Sequence, residues 1–407
     1  MNIEYYISKR LFYTKKKNNR YTKPIIRIGT LAIILSVSVM LFSIMVTSGF
    51  KEQITNKIIG FSGDVIVTSF SDNYSYESNP INIKQDFYQN ISQNEDIIHI
   101  SVFATKPGII KTKDEILGTV LKGVSSDFDW RFFIDNLVEG SVPNINDTIL
   151  NNNVIISRYI ANTLDLSLED DLIIYFAQEP TRVRKFRIIG IYNTALIDFD
   201  KLFVLVDIKH IQKLNYWTKE QVGGFEINVK DFNDLDRLSK FIYDNIGFDL
   251  NSQSVKEIYP ELFDWLKLQN INVILILSLM LIVGVVNMIT VLLIIILEKT
   301  SLIGILKALG VTNWSIRKIF LYQTLYLSLR GVVIANVLVF LIALLQKKYF
   351  IFSLNPEVYY MDHVPFSFDF YSIIFINIAT IFISYLTLII PSIIITNMKP
   401  IKSIRFE

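Results

Sequence analysis

Four long stretches of this chain carry almost no charge, and they limit its fold more than any other feature. Ile28 to Phe50 is a run of 23 residues without Asp, Glu, Lys or Arg, Leu268 to Leu297 is one of 30, and Phe370 to Met398 is one of 29. Phe320 to Gln346 is apolar apart from Arg330. A helix rises ~1.5 Å per residue, so about 20 residues cross a hydrocarbon layer of ~30 Å. Lipid offers the backbone no hydrogen-bond partner, so each run must close its own bonds as a helix. Four transmembrane helices are therefore expected, at 28–50, 268–297, 319–346 and 370–398. The first has the basic lead-in of a signal peptide, but it exceeds the ~7–15 apolar residues of such a segment and reads as an uncleaved anchor.

The basic residues set the expected orientation. Residues 1–27 hold eight Lys and Arg against Glu4 alone. The loop 298–318 holds Lys299, Lys307, Arg317 and Lys318 against Glu298, and the tail 399–407 holds Lys399, Lys402 and Arg405 against Glu407. The loop 347–369 has Lys347 and Lys348 against Glu357, Asp362 and Asp369. With four spans the three basic segments share one side, the cytoplasm, and residues 51–267 face outward. This large segment reads as an α+β domain, expected to have two lobes. Strand patterns recur at 65–68, 97–103, 116–122, 172–176, 186–191, 202–206 and 225–229. Gly60 to Gly63, Lys106-Pro107-Gly108 and Gly223-Gly224 punctuate them. Helical patterns lie at 84–94, 157–164 and 235–247.

Composition and motifs exclude most enzymatic chemistry. The chain has no cysteine, so disulfides, thiolate metal sites and thiol nucleophiles are absent. A net charge of +2 gives no basic field for nucleic acid. No G-x-x-x-x-G-K-[ST] loop and no G-x-S-x-G elbow occurs. His99, His210 and His363 lack the spacing of metal ligands. Glu169-Asp170-Asp171 reads as a solvated turn rather than an acid–base pair. No catalytic residue, bound cofactor or metal is expected. Arg330, roughly mid-depth in the third span, costs ~2.5–3.5 kcal/mol at a helix centre. It is expected either to face a helix interface or wet cavity, or to snorkel toward headgroups.

The loop 298–318 is the most distinctive local feature. Ser301 can cap a short helix and Gly310 can end it, because glycine takes the left-handed conformation without penalty. Thr312 or Asn313 can cap the next helix. The short helix carries apolar Leu302, Ile305, Leu306 and Leu309, and would either lie along the lipid surface or fit a groove on a cytoplasmic partner.

Glu298-Lys299 followed by Ile303-Gly304-Ile305-Leu306-Lys307-Ala308-Leu309-Gly310 resembles the "E-[RK]-x-x-E-I-G-I-L-[RK]-A-L-G-A" segment of FtsX/MacB-type ABC transporter permeases. Leu302 departs from the usual Glu, and Val311 from the usual Ala. Ile7 to Leu11, Ser48-Gly49-Phe50, Gly60 to Gly63 and Tyr360 to Pro365 are similar to lipoprotein-releasing (LolC/LolE-type) members. Glu139-Gly140, Pro143 and Val154 to Leu164 resemble the MacB-like periplasmic core, with Glu169-Asp170 replacing its usual Gly-Asp. Pro391-Ser392 and Lys399 to Arg405 resemble the closing segment.

The resemblance implies an α-helical membrane protein with four transmembrane helices plus a large α+β extracytoplasmic domain, the MacB-like periplasmic core, between helices 1 and 2. It implies a bacterial inner-membrane permease subunit that is not itself an enzyme. Any ATP would be bound by a separate cytoplasmic ABC ATPase dimer (LolD-like), contacted through Leu302, Ile303, Gly304, Ile305, Leu306, Lys307, Ala308, Leu309 and Gly310. A bulky charged residue at Gly304 or Ala308 is then expected to abolish that contact. Further implied partners are a second permease copy or paralogue, a periplasmic lipoprotein carrier (LolA-like), lipoprotein substrates and membrane lipid. The implied mechanism is mechanotransmission, with helices 1 and 2 prolonged as a stalk and lipoproteins taken from the outer leaflet. A MacB-like export permease, or an FtsX-like regulator of a cell-wall hydrolase, are the competing readings.

Overall fold

The computed structural model describes residues 3–13, 22–71, 75–112, 115–146, 148–387 and 391. The expected fourth span beyond Thr387, apart from Pro391, lies outside the described residues. So do the tail 399–407, its closing segment Lys399 to Arg405, and Lys15, Lys16, Lys17 and Arg20. In chain order the principal elements are α1 (Ile3–Tyr13), α2 (Thr22–Ser62), β1 (Val65–Ser69), α3 (Asp86–Ser92), β2 (Ile97–Lys111), β3 (Ile116–Val124), β4 (Leu137–Gly140), β5 (Asn153–Ser157) and α4 (Arg158–Leu164). There follow β6 (Asp171–Phe176), β7 (Arg182–Tyr192), β8 (Phe203–Asp207), β9 (Gly224–Val229), α5 (Leu235–Asn245), β10 (Leu250–Ser254), α6 (Pro260–Glu298), α7 (Thr300–Ala308), α8 (Asn313–Tyr349) and α9 (Phe370–Thr387). They divide into a helical unit (Met1–Lys51, Leu266–Phe352, Val364–Glu407) and an α+β unit (Glu52–Trp265, Ser353–His363).

Residues 26–62, 260–298, 313–349 and 370–387 form helices long and apolar enough to cross a membrane. Their shared core repeats at helical spacing. Ile33, Val37, Met40 and Leu41 of α2 meet Val291, Leu292, Ile295 and Ile296 of α6, and Leu327, Ala335 and Val339 of α8. Small residues set the approach, because a Cβ on Gly331 would lie 2.7 Å from Ile33 Cγ2. Asn336 and Asn377 exchange amide hydrogen bonds of 2.9 and 3.1 Å between α8 and α9. Leaving these amides unpaired in hydrocarbon would cost more than the pair contributes. Gln346 closes the end of α8 by donating to the Phe352 and Val364 carbonyls and accepting from Phe352 N–H.

The α+β unit is built on one ten-stranded sheet, ordered β10-β1-β9-β2-β3-β8-β5-β7-β4, with β6 pairing β2 and β7. The antiparallel set β10-β1-β9-β2, with α3 and α5 in its connections, is a β-α-β-β-α-β arrangement. The segment from β3 to β8 is inserted into it as a second lobe. The expected break at Lys106-Pro107-Gly108 is absent, and β2 runs through it. Between Phe103, where β9 pairing ends, and Ile109, where β6 begins, β2 is paired only with β3. A proline N with no hydrogen is tolerated there.

Residues 52–62 of α2 end inside this unit. Phe61 sits among the rings of Phe132, Phe133, Tyr192, Phe199 and Phe203, at 5.1 to 6.1 Å between centroids. Gly60 lies under the Phe132 ring, which a Cβ would approach to 2.3 Å. Lys122 donates to the Phe61 carbonyl at the end of α2 and pairs with Glu226 at 2.5 Å, both side chains being at most 5% exposed. A cation here complements the negative pole of the helix and fills one of its orphan carbonyls.

Candidate functional site between the second and third spans

The loop after α6 folds into the nine-residue helix α7. Its start differs from expectation. Lys299 occupies the cap position without a side-chain bond, and Ser301 lies inside the helix. Thr300 Oγ1 donates back to the Leu297 carbonyl at 2.8 Å. Lys299 N–H still bonds Ile295 C=O at 3.1 Å, so the chain leaves α6 with almost no break and no separate cap is needed. The end is as expected. Gly310 has φ +81°, and open space surrounds its absent Cβ, so the backbone angle alone demands glycine. Gly310 N–H bonds Lys307 C=O and Val311 N–H bonds Leu306 C=O, both at 3.0 Å, filling the last carbonyls. Thr312 Oγ1 then accepts from Ser315 N–H at 3.3 Å and caps α8, resolving the choice between Thr312 and Asn313.

The nine residues expected to make the contact do not share one surface. Ile303 and Gly304 are buried, and Ile303 belongs to the core with Leu306 and Val311 packed against it. Leu302, Leu306 and Lys307 are half-buried. Burial lowers the Lys307 ammonium below the usual lysine range. Ile305, Ala308, Leu309 and Gly310 face outward, Leu309 being 75% exposed. Gly304, like Ile303, is turned into the helical unit. The sequence reading also missed Trp314, which is 57% exposed one turn beyond Gly310. A signal for it existed, since Trp314 falls outside the buried positions Ile316, Ile319, Phe320 and Gln323 that continue along α8. The result is a helix rooted in the core by Ile303, with an apolar knob of Ile305 and Leu309 exposed at its other side, and Trp314 is exposed at the start of α8.

Arg330 does not point into the described interior. It is exposed on α8, beside exposed Tyr326 and Val333. Its buried neighbours Leu327, Ser328, Gly331 and Val332 take the core-facing positions. A long side chain on a helix leans toward the N-terminal turn, which brings its charge toward Tyr326. Two of the three histidines meet backbone carbonyls. His210 is buried with Nε2 at 2.9 Å from the Asn151 carbonyl, and His99 Nε2 meets the Asp127 carbonyl at 2.6 Å. Glu169 and Asp171 pair on the surface with Arg187 and Lys185 at 3.2 and 2.7 Å. Among the described residues no cluster of His, Cys, Asp or Glu could hold a metal.

Comparison with known proteins gives consistent matches along the chain. The family described as MacB-like periplasmic core domain matches residues 28–242, and the one described as FtsX-like permease C-terminal matches residues 274–400. The Lipoprotein-releasing system transmembrane protein LolC of Buchnera aphidicola subsp. Schizaphis graminum is 23% identical over 385 residues, 91% of each chain. The corresponding LolE of Haemophilus influenzae is 20% identical over 429 residues, 98% of each chain. Among solved structures, the periplasmic region of MacB from Actinobacillus actinomycetemcomitans aligns with 50% of this chain and 95% of its own, at 14% identity and TM-score 0.33.

Proposed function

Since the chain belongs to the family of FtsX-like permeases with a MacB-like periplasmic core domain, we propose that it is the non-catalytic membrane subunit of an ABC transporter that releases lipoproteins from the inner membrane. In this reading a separate ATPase dimer docks on the knob of Ile305, Ala308, Leu309 and Trp314. Both termini and the 298–318 loop lie in the cytoplasm, and residues 51–267 lie in the periplasm. Closure of the ATPases moves α7, whose buried Ile303 passes the displacement into the helical core. A carrier in the periplasm receives the acylated cargo, and a second permease copy or a paralogue completes the assembly. Withdrawing a lipid anchor costs ~0.8 kcal/mol per buried CH₂, so a multi-chain anchor calls for coupling to ATP.

The observation that carries the reading is α7 itself. It is a short helix continuous with α6, buried on one face and apolar on the exposed one. Exposed Leu309 and Trp314 close in sequence to a buried Ile303 support a docking face here. Leu309→Glu or Ala308→Glu is expected to leave membrane insertion intact and to prevent co-purification of the ATPase. Retention of the ATPase by both variants would remove the docking role. Depletion of the protein is expected to leave outer-membrane lipoproteins in the inner membrane. Unchanged sorting would shift the reading to an export permease.

A further inference from the structure

The α+β unit holds a cavity that the docking reading does not use. Its volume is about 700 Å³, within the ~300–1,000 Å³ of small-ligand sites. Aromatic rings form much of its wall, among them Phe199, Tyr259, Trp265 and Tyr360, with Phe199 and Tyr259 centroids 5.0 Å apart. Two carboxylates, Asp198 and Glu261, stand on its lining and are exposed. No Lys or Arg is among the described residues that line it. Tyr360 Oη donates to Asp198 Oδ2 at a long 3.4 Å, which leaves the carboxylate free to accept more. Burial raises the Tyr360 phenol above its usual range, and the negative charges of Asp198 and Glu261 add to the rise, so both acids act on one spot. Lys57 Nζ holds the Tyr360 carbonyl at 2.8 Å and fixes the loop that carries this ring. Trp265 lies three residues before the charge-free run that begins at Leu268.

We propose that this cavity binds an ammonium group carried on an apolar body. The faces of aromatic rings attract cations, and among the described residues no Lys or Arg pairs with either carboxylate. An anion would meet two like charges. A neutral apolar molecule would have no use for the acids. Trp265 lies next in sequence to an apolar span, and tryptophan is enriched where such spans meet the polar interface. Two amphiphiles carry this chemistry: an ethanolamine phospholipid and a lipidated peptide with a free amino terminus.

The test titrates the full chain in a neutral maltoside micelle with hexylammonium, hexanol and hexanoate by calorimetry. Hexylammonium is expected to bind about tenfold more tightly than hexanol, and hexanoate more weakly than either. Asp198→Asn with Glu261→Gln is expected to bring hexylammonium to the level of hexanol while hexanol binding stays unchanged. Equal binding of amine and alcohol by the native chain, or an amine preference that survives the double variant, would overturn the proposal. Competition then assigns the source. Displacement by phosphatidylethanolamine but not phosphatidylglycerol points to the headgroup. Displacement by a lipopeptide with a free amine but not by its N-acetylated form points to the peptide, and displacement by neither overturns the amphiphile assignment. None of these readings depends on lipoprotein sorting.

Discussion

At the residue scale, two glycines and two acids have consequences that can be measured. Gly140 has φ +81°, and a Cβ there would come within 2.1 Å of the Ile189 carbonyl. Gly140→Ala adds both backbone strain and a clash with main chain that cannot move aside. A loss of roughly 2–4 kcal/mol is expected, read as a lower unfolding midpoint of the α+β unit by fluorescence in detergent. Gly310→Ala meets no clash and carries only the left-handed penalty of ~1–2 kcal/mol. Asp64 is largely buried and accepts from Val229 N–H at 2.9 Å, and burial pushes its carboxyl up to about 6. An acid raised in the native state binds a proton there over a pH range, about 4 to 6, in which the unfolded chain has lost it. Stability therefore rises as pH falls through that range, and the full cost is present above about 6. Asp200, also pushed by burial to about 6, acts in the same direction. Asp64→Asn is expected to flatten the slope of midpoint against pH and to stabilise the protein near neutrality, on the order of 3 kcal/mol at most. An unchanged slope would show that Asp64 is not the titrating group.

At the element scale, the end of α2 and the helix α7 are held by opposite means. The last turns of α2 are held by rings and by the buried Lys122–Glu226 pair. Removing one member leaves an uncompensated buried charge, so Lys122→Met is expected to destabilise the α+β unit by ~3–5 kcal/mol. Adding Glu226→Leu is expected to restore most of it, since an apolar pair of similar volume avoids the desolvation of both ions. Comparing the unfolding midpoints of the single and double variants measures this coupling directly. For α7 the sequence showed the helix, its glycine stop and its apolar content. It could not show that Ile303 and Gly304 turn inward, because nine residues make too few turns to define a face against an unknown neighbour. The seven strand patterns read from the sequence all fall on observed strands. In contrast β10, Leu-Asn-Ser-Gln-Ser, carries no strand signal, and only its pairing with β1 makes it one.

At the scale of the whole molecule, α6 leaves a broad apolar surface uncovered. Met288, Val291, Leu292, Ile295 and Ile296 are buried, whereas Leu268, Ile271, Ile274, Leu275, Leu279 and Ile282 are each more than half exposed. Lipid covers such a surface as readily as protein does, so exposure alone does not choose between them. A photo-crosslinker at Leu275 is expected to capture a second permease subunit in membranes, and capture of lipid alone would place this face outside the assembly. The α+β unit was legible as a mixed domain. The single sheet that joins its lobes was not, because β2 continues through a proline and a glycine that read locally as a stop.

The spans, the glycine stop after α7 and the absence of thiol or phosphate-loop chemistry follow from the sequence by itself. They depend on properties of consecutive residues: length without charge, backbone angles open only to glycine, and side chains that are simply missing. Which face of α7 is buried, where Arg330 points, and how Asp198, Glu261 and four distant rings come to line one cavity were decided by tertiary packing. Those outcomes depend on contacts between distant segments, such as Tyr360 with Asp198, 162 residues apart, and no local pattern encodes them.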